Sequence, residues 1–188
     1  RLDRDTSGCL MISKKSSILK KLQSFLVKKD ELEKHYLTIV HGRWSKRKQH
    51  VDLPLQKNTL NSGERISRVH PDGKQSLTRF SVEQQNGNFS LLNVQPITGR
   101  THQIRVHCYY LGCPLLVDAL YHQKAAFYLS KIKRSYRYTK FEEERPLITR
   151  LTLHAKSIQF KTIDGEMMEV GSDLPKDLKA LLNQLEKS

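Results

Sequence analysis

Two stretches of this chain concentrate side chains able to do chemistry. Arg1-Leu2-Asp3-Arg4 sets a carboxylate between arginines. Gly99-Arg100-Thr101-His102-Gln103-Ile104-Arg105-Val106-His107 gathers two arginines, two histidines and a glutamine behind a glycine. A buried aspartate can act on a substrate only while ionised. Desolvation raises its pKa, and a neighbouring guanidinium lowers it. Arg100 or Arg105 could supply that charge through two parallel hydrogen bonds. The same residues also describe an ordinary ion pair bracing a loop. Spacing alone does not choose between Asp3 and Asp5 as the reacting group.

Other chemistries find less support. His102, His107, His154, Cys108 and Cys113 are available to a metal, but no CxxC, HxxxH or HExxH spacing occurs, so no metal site is expected. Asp5-Thr6-Ser7-Gly8 has the look of an aspartic protease signature. It lacks both the apolar strand before the aspartate and the second copy that would share its proton. There is no GxSxG nucleophile turn, no phosphate-cradling glycine loop and no dinucleotide fingerprint, and no cofactor is expected.

The elements that must position these groups follow from periodicity and turn chemistry. Arg1 to Gly8 reads as a loop, and Cys9 to Ile12 as a short buried strand. Ser13 is placed to cap a helix reaching about Lys28, with Ile18, Leu19, Leu22, Phe25 and Leu26 on one face. Lys34 to Val40 is rich in β-branched and aromatic residues and predicts a strand. Arg43 to His50 is a basic loop holding Trp44, the only tryptophan. Val51–Leu55, Glu64–Val69, Gln75–Glu83 and Phe89–Val94 read as short strands, the first broken by Pro54 and the last two joined by an Asn86-Gly87 turn. Thr101 is a candidate N-cap for a helix over His102–Leu111, which Gly112 and Pro114 end. Leu151–Phe160 and Met167–Val170 are strands around Asp164-Gly165, and Pro175 opens a last helix with Leu178, Leu181, Leu182 and Leu185 as its stripe. The pattern predicts one α+β domain over residues 1–188, with a predominantly antiparallel or mixed central sheet flanked by helices.

The 188 residues carry a net charge of +14, which favours a polyanionic partner, because each cation that neutralises a phosphate releases counterions. No run approaches the roughly 20 apolar residues of a membrane helix, and no signal-peptide pattern is present. Cys9, Cys108 and Cys113 do not form a disulfide framework; Cys9 and Cys108 read as buried small hydrophobes, and a reducing compartment, the cytoplasm, is expected. Residues 124–146 interleave Lys131, Lys133, Arg134, Arg137 and Lys140 with Phe127, Tyr128, Tyr136, Tyr138 and Phe141. That basic aromatic insertion suits either stacking on unpaired bases or packing its own rings on the surface.

Arg1-Leu2-Asp3-Arg4-Asp5-Thr6-Ser7-Gly8 resembles the catalytic motif of the RluA-type pseudouridine synthases, which modify ribosomal large-subunit RNA and some tRNA. Thr98 to His107 resembles a later motif of that family, and Lys34-x-Tyr36 a third. Gly73-Lys74 with Thr78, Gly112-x-Pro114 with Asp118, and Leu153-His154-Ala155 match further positions in family order. The family motif begins with a histidine before Arg1, so a chain lacking its N-terminal part is expected. The resemblance implies that Asp3 is the catalytic aspartate, that Tyr36 lies against the target uracil and that Arg105 pairs with Asp3. It implies that Arg1 opens the duplex or holds the flipped base, that Arg100 and His102 touch RNA or brace the site, and that Asp5 shapes the loop. The expected partner is RNA, ribosomal rather than transfer RNA, for a monomeric protein without a membrane. The competing expectation is a non-catalytic RNA-binding module of the same fold acting in ribosome assembly. Asp3 favours the enzyme, since gripping a polyanion needs no carboxylate.

Overall fold

The computed structural model describes residues 1–25, 32–45, 49–133, 136, 143–162 and 164–187. Its strands are β1 (Ser7–Gly8), β2 (Leu32–His41), β3 (His50–Asp52), β4 (Leu55–Thr59), β5 (Arg65–Val69), β6 (Leu77–Asn86), β7 (Phe89–Pro96), β8 (Leu153–Lys161) and β9 (Met167–Gly171). Its helices are α1 (Ser16–Phe25), α2 (Gln103–Tyr110) and α3 (Lys176–Glu186). One sheet runs β1-β8-β2-β7-β6-β3, with β9 also on β8, and β4–β5 form a separate hairpin. The pairings are antiparallel except β1 with β8. The expected α+β architecture with a mixed sheet is what the chain adopts.

Both faces of the sheet are covered, and β2 shows how. Adjacent side chains on a strand point to opposite faces. Val40 joins one core cluster with Trp44, Phe80, Leu92, Val94, Ile104 and Cys108. Ile39 joins the other with Leu116, Val117, Phe127, Leu178, Leu181 and Leu185. Helix α2 therefore packs on the first face and α3 on the second. Each fully buried leucine of α3 contributes about 1.5–3 kcal/mol. Asp177 sits in its first turn, where a negative charge suits the helix dipole.

Several local expectations are corrected. Residues 9–12 are not a buried strand: Leu10 and Ile12 are 52 % and 78 % exposed, and the strand is Ser7–Gly8. Cys9 is only half-buried, whereas Cys108 is fully buried. Helix α1 starts at Ser16, and Ser13 Oγ lies before it, accepting the Lys15 N–H at 3.3 Å and donating to the Lys15 carbonyl at 2.7 Å. The break expected at Pro54 does occur, and it separates β3 from β4. Phe127 of the basic aromatic segment packs edge-on to Phe89 in the core, so that ring is structural. The continuation of α1 to Lys28, and Arg134, Arg137, Tyr138, Lys140 and Phe141, lie outside the described residues. Among the described residues no helix is long and apolar enough to cross a membrane.

Candidate active site

The Asp3 loop is anchored by strand pairing that no local sequence signal announces. Gly8 on β1 and Tyr36 on β2 both face Ala155 of β8, from opposite sides. The loop therefore leaves the sheet two strands from Tyr36. Gly8 has φ +110°, and a Cβ there would stand 2.1 Å from the Ala155 carbonyl oxygen, so only glycine fits. Ser7 donates to Nδ1 of His154 at 2.9 Å, since Nε2 of that ring donates to the Ser172 carbonyl at 3.0 Å. Arg150 in turn donates to Ser7 Oγ at 3.1 Å and forms a two-pronged pair with Asp177. The loop closes on itself through the Thr6 N–H to the Asp3 carbonyl, with Asp5 at φ 65° in the turn. Asp5 is thus the loop-shaping residue.

The β2–β8 register slips between His35 and Tyr36, where Lys156 is the extra residue on β8, so β2 itself keeps its alternation. Lys34 and Tyr36 share one face and line the same cleft as Asp3. Burial lowers the pKa of Lys34. Burial, and then the Asp3 charge, push the Tyr36 phenol up to about 12.

The third contribution comes from α2 and the loop before it. Gln103 holds that loop with all four of its amide's bonds. Its oxygen accepts from the Thr98 hydroxyl at 2.7 Å and the Arg100 N–H at 3.0 Å. Its nitrogen donates to the Leu77 carbonyl and the Thr78 hydroxyl, each at 2.9 Å. His107 is wholly buried: Nε2 donates to the Leu53 carbonyl at 3.1 Å, and Nδ1 accepts from Thr78 at 2.9 Å. Thr101 does not cap α2. The cap position is His102, with φ 53°, a left-handed conformation rare for a non-glycine residue and common at functional sites. Nδ1 of His102 lies 3.0 Å from the Tyr121 hydroxyl, which accepts the Ser67 N–H at 2.9 Å. Burial and then Arg105 lower the His102 pKa, against Asp3, Asp118 and Glu64.

Arg1, Asp3, Tyr36, Arg100 and His102 all line one cleft of about 740 Å³. Its lining carries five cations, Arg1, Lys34, Lys57, Arg79 and Arg100, against two carboxylates, Asp3 and Glu33. Arg105 sits behind this lining and forms the expected ion pair with Asp3, but only at 4.0 Å and without a hydrogen bond. Its two hydrogen bonds go to Asp118, from Nε at 2.8 Å and Nη2 at 2.7 Å, while Nη1 stands 4.0 Å from Asp3 Oδ2. Asp118 wins because it is more deeply buried, at 1 % side-chain exposure against 21 % for Asp3. Burial opposes the Arg105 charge, yet the Asp118 bonds, with Asp118 and Asp3 charge, raise its pKa on balance. The Tyr121 ring lies 5.0 Å under the guanidinium. Lys34 and Asp118 fall in stretches that match the family, though with no role assigned there, and their contacts give them one; the Tyr121 contacts have no signal in the sequence. Among the described residues no histidine, cysteine and carboxylate cluster could hold a metal.

The sequence pattern of the RNA pseudouridylate synthase family matches residues 1–110. The ribosomal large subunit pseudouridine synthase C of Pasteurella multocida is 42 % identical over 188 residues, covering 98 % of this chain and 53 % of that protein. The protein of the same name from Escherichia coli K12 is 40 % identical over 192 residues, covering 98 % and 54 %. The chain thus spans about half the length of the curated relatives it matches. In fold it is similar to human RNA pseudouridylate synthase domain containing 1, at TM-score 0.67 and 23 % identity over 100 % of this chain and 79 % of the other. It is similar also to human RNA pseudouridylate synthase domain containing 4, at TM-score 0.65 and 18 % identity over 96 % and 76 %. With that match over more than half its residues, the chain belongs to the RNA pseudouridylate synthase family.

Proposed function

We propose that this chain carries the catalytic domain of a uridine isomerase acting on structured RNA, large-subunit ribosomal RNA above all, in the cytoplasm. The observation that carries the reading is the gathering of Asp3, Tyr36 and Arg1 in one basic cleft, with a fixed guanidinium 4.0 Å from Asp3. The relatives' names support the substrate class. The target uridine leaves its stack and enters the cleft, with Arg1 filling or holding open the gap. The cations of the lining hold the phosphate backbone, and the flipped base stacks on Tyr36. Ionised Asp3 assists rupture of the bond between N1 and the ribose C1′. The ring turns and C5 bonds to C1′. The C5 proton then leaves to solvent, and N1 takes one up. Atoms and electrons balance without an oxidant or an energy source. Tyr36, with its phenol raised to about 12, is a proton donor or stacking platform rather than a phenolate base at neutral pH.

The test is tritium release from RNA labelled at uridine C5, using the full protein and Asp3→Asn. Release by the first and none by the second is expected. No release by either, from ribosomal or transfer RNA, favours a non-catalytic RNA-binding module in ribosome assembly.

A further inference from the structure

Asp118 is a saturated carboxylate. Oδ2 accepts from Arg105 Nε at 2.8 Å. Oδ1 accepts from Arg105 Nη2 at 2.7 Å and from the N–H groups of Leu120 and Tyr121, each at 3.0 Å. Two of the three guanidinium nitrogens are therefore committed away from the cleft. Only Nη1 faces Asp3, at 4.0 Å, beyond hydrogen-bond reach. Without Asp118, the same arginine would present its full charge and a two-pronged face to Asp3. A carboxylate gripped in that way stays ionised, but it is a weaker base and its oxygens are occupied.

We infer that Asp118 is a positioning residue for the isomerisation: it fixes Arg105 at 4.0 Å from Asp3, close enough to act as its counter-charge and too far to occupy its oxygens. This rests on the reading of Asp3 as the reacting carboxylate. The arrangement is rigid. The Asp118 side chain is 1 % exposed and that of Arg105 8 %, while Tyr121 supports the guanidinium from below and is itself bonded to Ser67 and His102. The other groups around Asp3 are Tyr36 from β2, His102 at the head of α2, Tyr121, and the cleft cations Arg1 and Lys34, with Arg4 and Asp5 in the same loop. Asp118 also accepts the Tyr121 N–H, and its charge acts on His102 and Tyr121, so Arg105→Lys, which leaves Asp118 in place, is the variant that isolates the Arg105 charge.

The experiment compares the full protein with Asp118→Asn and Arg105→Lys, reading single-turnover tritium release against pH and the Asp3 carboxyl ¹³C signal against pH. Asp118→Asn keeps the shape but frees the Arg105 charge. The Asp3 midpoint and the acid limb of the rate should move down by about one pH unit, a tenfold change in proton concentration, with a lower plateau rate. Arg105→Lys retains a charge without the fork, and its ammonium stays with the deeper Asp118, so the midpoint should rise. A purely structural Asp118 would lower thermal stability and leave both midpoints where they are. An unchanged midpoint in folded Asp118→Asn overturns the inference. Should that variant fail to fold, an unchanged or lowered midpoint in Arg105→Lys overturns it instead. Release by Asp3→Asn equal to the parent would show that the catalytic reading itself is wrong. The ¹³C midpoints would still report whether Asp118 fixes Arg105 as the counter-charge of Asp3.

Discussion

The Ser7 hydroxyl donates to Nδ1 of His154 across 147 positions of sequence, at 2.9 Å, and fastens the Asp3 loop to the sheet. Removing it in Ser7→Ala leaves the His154 Nδ1 buried without a donor and takes an acceptor from Arg150. A cost of about 1–3 kcal/mol is expected, read as a lower urea midpoint. Conversion should fall further than stability alone explains, because the loop carrying Asp3 loses its tether. Equal midpoints for variant and parent would remove the tether from the account.

Gly8→Ala is expected to be more damaging than Ser7→Ala. The added methyl meets the Ala155 backbone rather than a movable side chain, and the φ of +110° is hostile to any Cβ. The parallel β1–β8 pairing must open to admit it. Hydrogen exchange at the Cys9 N–H, which donates to the Ala155 carbonyl at 2.9 Å, should accelerate sharply while the β6 and β7 amides keep their protection.

Arg105→Ala strands Asp118, not Asp3, as the buried uncompensated charge. Breaking such a pair by removing one partner costs about 3–5 kcal/mol. The combined Arg105→Met, Asp118→Leu variant removes both charges and should recover much of that stability while conversion stays lost. Thermal unfolding of the two proteins side by side checks this; a double variant no more stable than the single one would mean that the charges are not the source of the loss.

Three histidines, His41, His102 and His107, have pKa values lowered from 6.5, first of all by burial. A lowered histidine pKa means that the unfolded chain binds more protons than the folded one in acid. Their contribution is therefore complete above about 6.5 and is lost as the pH falls through the folded values. The melting temperature should decline between pH 7.5 and pH 5. His107→Gln, which removes the most buried of the three, should flatten that decline.

Tyr36→Phe tests the hydroxyl apart from the ring. The phenol is raised to about 12, so the parent rate should show no basic limb from Tyr36 below pH 10. Loss of tritium release with retained RNA binding would assign a proton-transfer role to the hydroxyl. Unchanged release would leave the ring as the whole contribution, and Tyr36→Leu should then be the variant that loses activity.

The period-two strands β2, β6, β7 and β8, the leucine stripe of α3 and the Asn86-Gly87 turn are legible in the residue order, because these depend on neighbours a few positions apart. The residue order also indicated which residues would gather, since Arg1, Asp3, Tyr36, Arg100 and His102 fall within stretches of recognisable type. How charge is shared among them emerges only when distant segments pack together. Whether Arg105 takes Asp3 or Asp118 turns on burial and on which carboxylate the backbone N–H groups of Leu120 and Tyr121 already hold. Likewise His102 heads α2 in a left-handed conformation, held by a Tyr121 hydroxyl itself bonded to Ser67, a partner no local pattern announces. Helix and strand signals act within a turn or two of chain. Ion-pair choice depends on desolvation, which exists only once distant segments have excluded water together.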